Sequence, residues 1–207
     1  MLCKLSDLKI MLDISDNTQD DKLNLIIKNI SSKIESYIGY KLGRKTYTDE
    51  IQAVNNNQVV YFNHFPIQSV ASVSINDVPV DDYKILPKYS VNGGLYRGAG
   101  WCGMMYTRTM EQDIVSGSWS IKATYTAGYY LPNDTKYVDG NDDSLPYDII
   151  NACLNECVLN YNMAHSVGLK SYSEGGQSVT LADNLSNMSL SVGTKEVLNN
   201  YKYYAIA

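Results

Sequence analysis

Apolar residues along this chain change their period twice. Leu23, Ile26, Ile27, Ile30, Ile34, Tyr37 and Ile38 recur at three- and four-residue spacing, the signature of one buried helical face. Lys22, Lys28, Asn29, Lys33 and Glu35 take the opposite face, and Gly39 supplies a stop. A shorter helix is predicted from Leu5 to about Asp13, with Ser6 as N-cap and Leu5 stapled onto Ile10. The polar turn SDNTQD joins the two into a helical hairpin.

From about Lys45 to Ala127 the period falls to two. QVVYFNHF (58–65), IQSVASVSIND (67–77) and GSWSIKATYTAG (117–128) alternate β-branched or aromatic residues with polar ones. Asn76-Asp77 marks a turn before Val78-Pro79-Val80. The pattern predicts an antiparallel β-unit with one face on a core and one in solvent. VNGGLYRGAGWCGMMYTRTM (91–110) has no clean period and reads as a long loop or hairpin tip. KATYTAGYYLP (122–132) is where the alternation stops, with Tyr125, Tyr129 and Tyr130 set to pack that junction or an adjoining subunit.

The helical period returns after the acidic loop DGNDDS (139–144). Pro146 suits a first turn, and Asp148 complements the dipole there. Ile150, Cys153, Leu154, Cys157, Tyr161 and Ala164 form a stripe that Gly168 ends, with Asn151, Asn155 and Asn162 elsewhere. GLKSYSEGGQSVTL (168–181) reads as an irregular arm, and KEVLNNYKYYAIA (195–207) as a short terminal helix with an apolar tail. The fold class is therefore α+β. A helical core at 1–44 and 144–207 carries a β-insertion at about 45–130, with a glycine-rich loop at 89–116.

Composition narrows the function. With 44% hydrophobic and 19% charged residues, the 207-residue chain can bury a core as one domain. No run approaches the ~18 apolar residues that cross a bilayer. The N-terminus lacks a signal-peptide pattern, which predicts a cytosolic chain with no membrane partner. The formal charge of −5, with Lys and Arg scattered, argues against a tight nucleic-acid grip. Tyrosine is abundant, 18 residues against two Phe, and suits sheet faces and interfaces.

Candidate chemistry is sparse. Cys3, Cys102, Cys153 and Cys157 read as buried small hydrophobes. Cys153 and Cys157 stand four apart on a helix, but no second Cys pair exists and only His64 and His165 could join them, so no metal site is assigned. Gly98, Gly100 and Gly103 spell G-x-G-x-x-G without the strand–helix setting of a dinucleotide turn. Asp139, Asn141 and Asp143 open like a calcium loop, yet Ser144 and Ile150 stand where Gly and Glu belong. No nucleophile, phosphate-loop or zinc-protease motif is present. Neither a catalytic residue nor a cofactor is expected, and the chain is read as a non-enzyme.

Three joints resemble those of head–tail connector (adaptor) proteins of tailed bacteriophages and prophages. The first is LSDLKIMLDISDNTQDDKLNLIIKNISSKIESYIGYKL, with Tyr37, Gly39 and Leu42 closing the helix. The second is FPIQSVASVSINDVPVDDY; the third is KATYTAGYYLP with LPYDIINACLNECVLNYN and GLKSYSEGGQSVTL. The resemblance runs from about Leu2 to Leu181 and departs from the family in the 89–116 loop and beyond Asn184. It implies a structural virion protein assembled in the host bacterial cytoplasm. Such a protein forms a homo-oligomeric ring, dodecameric in type, beneath the portal protein. The ring extends the DNA channel and docks neck or tail-completion proteins, passing genomic DNA without specific binding. Interface candidates are Trp101, Met104, Met105, Tyr106, Tyr129, Tyr130, Tyr201, Tyr203, Tyr204 and Ile206. Two other readings stand beside it: a small-ligand or nucleotide-binding protein using the 98–103 glycines, and another neck component such as a stopper or tail-completion protein.

Overall fold

A computed structural model describes residues 1–53, 56–102, 119–163, 171–174, 177–180 and 190–202. The chain divides into two compact units, Met1–Tyr40 with Tyr130–Ala207, and Lys41–Tyr129.

In the first unit, helix α1 spans Leu5–Met11, α2 Asp20–Ile38, α4 Tyr147–Met163 and α5 Val192–Asn199. The α2 pattern is realised as read: Leu23, Ile27, Ile30, Ile34 and Ile38 are buried, with Ile26 and Tyr37 at the margin. Gly39 closes the helix at φ 93°, its N–H donating to the Glu35 carbonyl at 3.0 Å. That left-handed backbone is where glycine carries no Cβ penalty.

The start of α1 differs from expectation. Lys4, not Ser6, is the N-cap, and the Ser6 hydroxyl donates to the Asp7 carboxylate at 2.9 Å. Ile10 is 75% exposed, so no staple forms. Leu5 and Ile10 lie five residues apart, about 140° around the helix, which points them to different faces. The connection to α2 is held electrostatically. Lys9 Nζ donates to Asn17 at 2.7 Å and Asp20 at 2.8 Å, while Asp16 accepts from the Thr18 backbone and hydroxyl.

Helix α4 buries a broader face than its predicted stripe. Ile149, Ile150, Ala152, Cys153, Leu154, Glu156 and Cys157 are enclosed, whereas Tyr161 is only partly covered. Ala164, Gly168 and His165 lie outside the described residues. The terminal helix begins earlier than read, at Val192, because Ser191 caps it by accepting the Thr194 N–H at 3.3 Å. It ends at Asn199, short of the apolar tail. The arm at 168–181 contains strands β8 (Ser171–Glu174) and β9 (Gln177–Thr180), paired antiparallel rather than irregular.

The second unit holds β1 (Lys45–Ala53), β2 (Val59–Tyr61), β3 (Ile67–Ile75), β4 (Val78–Val80), β5 (Tyr83–Lys84), a short helix α3 (Pro87–Ser90), β6 (Gly94–Arg97) and β7 (Trp119–Ala127). One antiparallel sheet runs β1-β7-β3-β4 and another β2-β6-β5. Strand β6 lies inside the stretch read as loop. Its four residues are too few to show a period, and it becomes a strand because β2 and β5 pair on either side. QVVYFNHF is a strand only over Val59–Tyr61.

Alternation in β7 buries Ile121, Ala123, Tyr125 and Ala127. The opposite face carries threonine pairs with β1: Thr46–Thr126 at 3.1 Å and Thr48–Thr124 at 3.0 Å. Asn76 and Asp77, at φ 47° and 64°, make the two-residue β3–β4 hairpin turn. Both sheets feed one core, with Val60, Phe62 and Leu95 meeting Val73, Ile75 and Tyr125. After β7, Gly128 turns at φ 95°, and a Cβ there would stand 2.8 Å from the Leu42 and Gly43 carbonyl oxygens.

Tyr125 is the polar tie of that core. Its hydroxyl donates to Asp49 Oδ2 at 2.6 Å and accepts from the His64 N–H at 3.3 Å. Burial first, then the Asp49 carboxylate, pushes its ionisation well above the ordinary tyrosine range. Loss of a hydrogen bond to a charged partner costs about 1.5–3 kcal/mol, so Tyr125→Phe should lower stability by that much at neutral pH. A phenol whose folded-state ionisation is raised stabilises below its ordinary range and loses that contribution as pH climbs above it. Urea melts should therefore show the wild-type advantage shrinking above roughly pH 10. A gap that stays constant with pH would contradict this account.

Candidate interaction surfaces

Side chains capable of contact are distributed by the same periodicity that builds the helices. Each helix of the first unit leaves an apolar residue in water: Ile10 and Met11 on α1, Leu25 on α2, Tyr147 and Leu159 on α4, Val192 on α5. Leu25 is 59% and Val192 72% exposed. A shallow groove of about 380 Å³ is lined by Ile26, Asn29, Ile30, Ser32 and Lys33 of α2 with Asn160 of α4. In the second unit Val78 stands 64% exposed beside the hairpin turn.

The expected interface residues fall into three groups. Trp101 is not exposed, as expected of a docking residue, but wholly buried. Its indole N–H is shared by the Gln58 carbonyl at 3.1 Å and the Leu95 carbonyl at 3.2 Å. The Arg97 guanidinium sits 6.0 Å from its ring. A large ring with a satisfied N–H gains more by filling the core than by facing water. Tyr129, Tyr130 and Tyr201 are half-buried. The backbone of Tyr129 pairs with Leu42 and Arg44, that of Tyr130 with Asp143 and Leu145, and the Tyr201 hydroxyl reaches both oxygens of Asp148 at 2.9 and 2.7 Å. Met104, Met105, Tyr106, Tyr203, Tyr204 and Ile206 lie outside the described residues.

Gly103 lies outside the described residues, and among those described the glycine turn shows no phosphate cradle. Gly98 and Gly100 follow β6 in an antiparallel sheet, and Arg97 donates to the Gly100 carbonyl at 2.7 Å. Asn56 Oδ1 fills the space beside Gly100 and accepts the Cys102 N–H at 3.1 Å. In the acidic loop Asn141 Oδ1 is engaged locally, accepting the Asp143 N–H at 3.1 Å. His64 stacks on Tyr47 at 3.6 Å between ring centroids, and among the described residues its buried Nδ1 meets no hydrogen-bond partner.

Two features escaped the sequence reading. Glu156 is buried, and its carboxylate accepts the Ser191 N–H at 2.7 Å, tying α4 to the entry of α5. A glutamate four residues before a helical asparagine looks like surface, and nothing local marks it. Cys3 joins Cys153 and Cys157 in one cluster, a contact across the fold that spacing along one helix cannot disclose.

A family model described as "HCP: Head completion protein" matches residues 1–204. Among curated proteins no match is found. Solved structures of similar fold include a chain from the neck of an empty GTA particle computed with C6 symmetry. It matches with TM-score 0.54 and 12% identity, covering 100% of this chain and 92% of that one. A chain from the neck of a native GTA particle computed with C12 symmetry aligns at TM-score 0.48 and 12% identity, over 90% and 84% of the two chains.

The buried position of Trp101 predicts that Trp101→Ala destabilises the isolated chain by about 3–5 kcal/mol, read as a lower urea midpoint. An unchanged midpoint would restore Trp101 to the surface.

Proposed function

We propose that this chain, which belongs to the head completion protein family and is a structural protein of a phage-like head–tail neck, works there as a ring-forming connector. The observation that carries the reading is the extent of the match: the family model covers 1–204. The whole chain, 1–207, acts as one head–tail adaptor domain in this account. It assembles in the host bacterial cytoplasm and resides in the virion neck, without catalysing a reaction.

A ring of identical subunits needs two different, complementary side surfaces on each copy. The exposed Ile10, Leu25 and Val192 supply apolar contact area, and the α2 groove supplies a concave acceptor. That a chain of the same fold lies in a neck computed with C6 symmetry supports a ring; a dodecamer is the form proposed here. Tyr129, Tyr130, Tyr201 and the segments holding Met104, Met105, Tyr106, Tyr203, Tyr204 and Ile206 are assigned to contacts with neighbouring copies, the portal protein or the next neck or tail-completion protein. The net charge of −5 suits a channel wall past which DNA slides without the counterion release that makes binding tight.

Light scattering and negative-stain images of the purified chain mixed with its portal protein test the reading. The expected outcome is a ring on the portal, weakened at least tenfold in apparent affinity when residues 201–207 are removed, with the helical content by circular dichroism retained. A chain that remains monomeric beside its portal would overturn the connector, and full-strength assembly after trimming would overturn the role of the tail. A nucleotide-induced rise in melting temperature without assembly would favour the ligand-binding alternative instead.

A further inference from the structure

Three of the four cysteines converge in the first unit. Cys153 and Cys157 lie one turn apart on α4, and Cys3 arrives from the segment preceding α1. All three sulfurs lie within 4.8 Å of one another, and each residue is wholly buried. Cys153 Sγ is 3.7 Å from Cys3 Sγ and 4.0 Å from Ser31 Oγ. Ser31 in turn accepts the Leu2 N–H at 3.0 Å, which fixes the backbone beside Cys3 against α2.

The spacing meets the geometry of a three-thiolate centre as well as that of packed thiols. Metal–thiolate bonds of about 2.3 Å place three sulfurs about 4.0 Å apart around a trigonal ion. The triangle found here therefore admits an ion with little movement of the backbone.

We propose that Cys3, Cys153 and Cys157 form a three-thiolate site for a soft closed-shell metal ion, which staples the N-terminal segment to α4. Thiolates select Cu(I) and Zn(II) among biological ions. The Ser31 hydroxyl, 4.0 Å from Cys153 Sγ, is neutral and a poor fourth ligand for tetrahedral zinc. Three-coordinate Cu(I) is therefore the better fit. Each coordinating thiol gives its proton to solvent as its metal–sulfur bond forms, so uptake strengthens with rising pH.

The full chain, reduced and stripped with chelator, would be titrated anaerobically with Cd(II) as a spectroscopic probe, and with Cu(I) against a colorimetric chelator. The expected result is an ultraviolet thiolate-to-metal band saturating at one ion per chain, with a higher melting temperature in the loaded protein. Cys3→Ala should weaken binding at least tenfold, whereas Cys102→Ala should leave it unchanged. No band and no competition for Cu(I) in the folded wild-type chain would overturn the site, leaving three core cysteines. Equal binding by Cys3→Ala would overturn it as well. Should Cys153→Ala fail to fold, Cys3→Ala and Cys157→Ala, checked by circular dichroism, carry the comparison.

Discussion

The pairing of α2 with α4 is the constraint on which the helical unit depends. Both helices also touch α1 and α5, so among the described residues each helix of that unit packs on this one pair. Burying each large aliphatic side chain contributes about 1.5–3 kcal/mol, and α2 alone commits Leu23, Ile27, Ile30, Ile34 and Ile38. The facing side of α4 is smaller in volume: Ala152, Cys153 and Cys157 lie among the larger Ile149, Ile150 and Leu154. Small residues let other elements approach the helix closely. Cys3 lies against Cys153, Leu2 is held to α2, and polar groups drawn in with them are satisfied, Ser31 by Leu2 and Glu156 by Ser191.

Strand β7 plays the corresponding part in the second unit. It pairs with β1 on one side and β3 on the other, so its inward residues lie under both neighbours. Tyr125 brings a hydroxyl into that core and finds Asp49 on β1, while its ring packs on Phe62 at 5.2 Å between centroids. A phenol buried without an acceptor would cost free energy, whereas one bonded to a carboxylate locks the register of two strands. The second sheet closes over the same core through Val60, Leu95 and the Trp101 ring.

This division of labour fits a structural protein. Stable cores are built from residues with strict periodicity. In the proposed assembly, contact falls to the exposed apolar residues of the helices, together with Tyr201 and Tyr37, whose hydroxyls are already engaged. Such side chains bring area to an interface at small entropic cost, because hydrogen bonds such as Tyr201 to Asp148 and Tyr37 to Asn199 hold them in place beforehand.

Element type was legible from residue order because it depends on period, which is local. The face of α2, the alternation of β7 and the Asn76-Asp77 turn all follow from spacing and backbone preference, with no knowledge of neighbours. The start of α1 was misread because Ser6 is a good cap in isolation, yet Leu8 is the residue whose burial sets the helix. Strand β6 and the β8–β9 hairpin were missed since short pairings exist only when a partner strand is present. Trp101 shows the same limit: an aromatic ring among glycines reads alike whether it faces water or fills a core. Periodicity in the sequence by itself determined the course and buried face of α2 and β7, and the presence of a helix over α4. Only the tertiary structure decided that Trp101 lies inside, that Glu156 holds Ser191, and that Cys3 meets Cys153 and Cys157. Those contacts join residues distant in the chain, and their energies come into being only once the helices and sheets have packed.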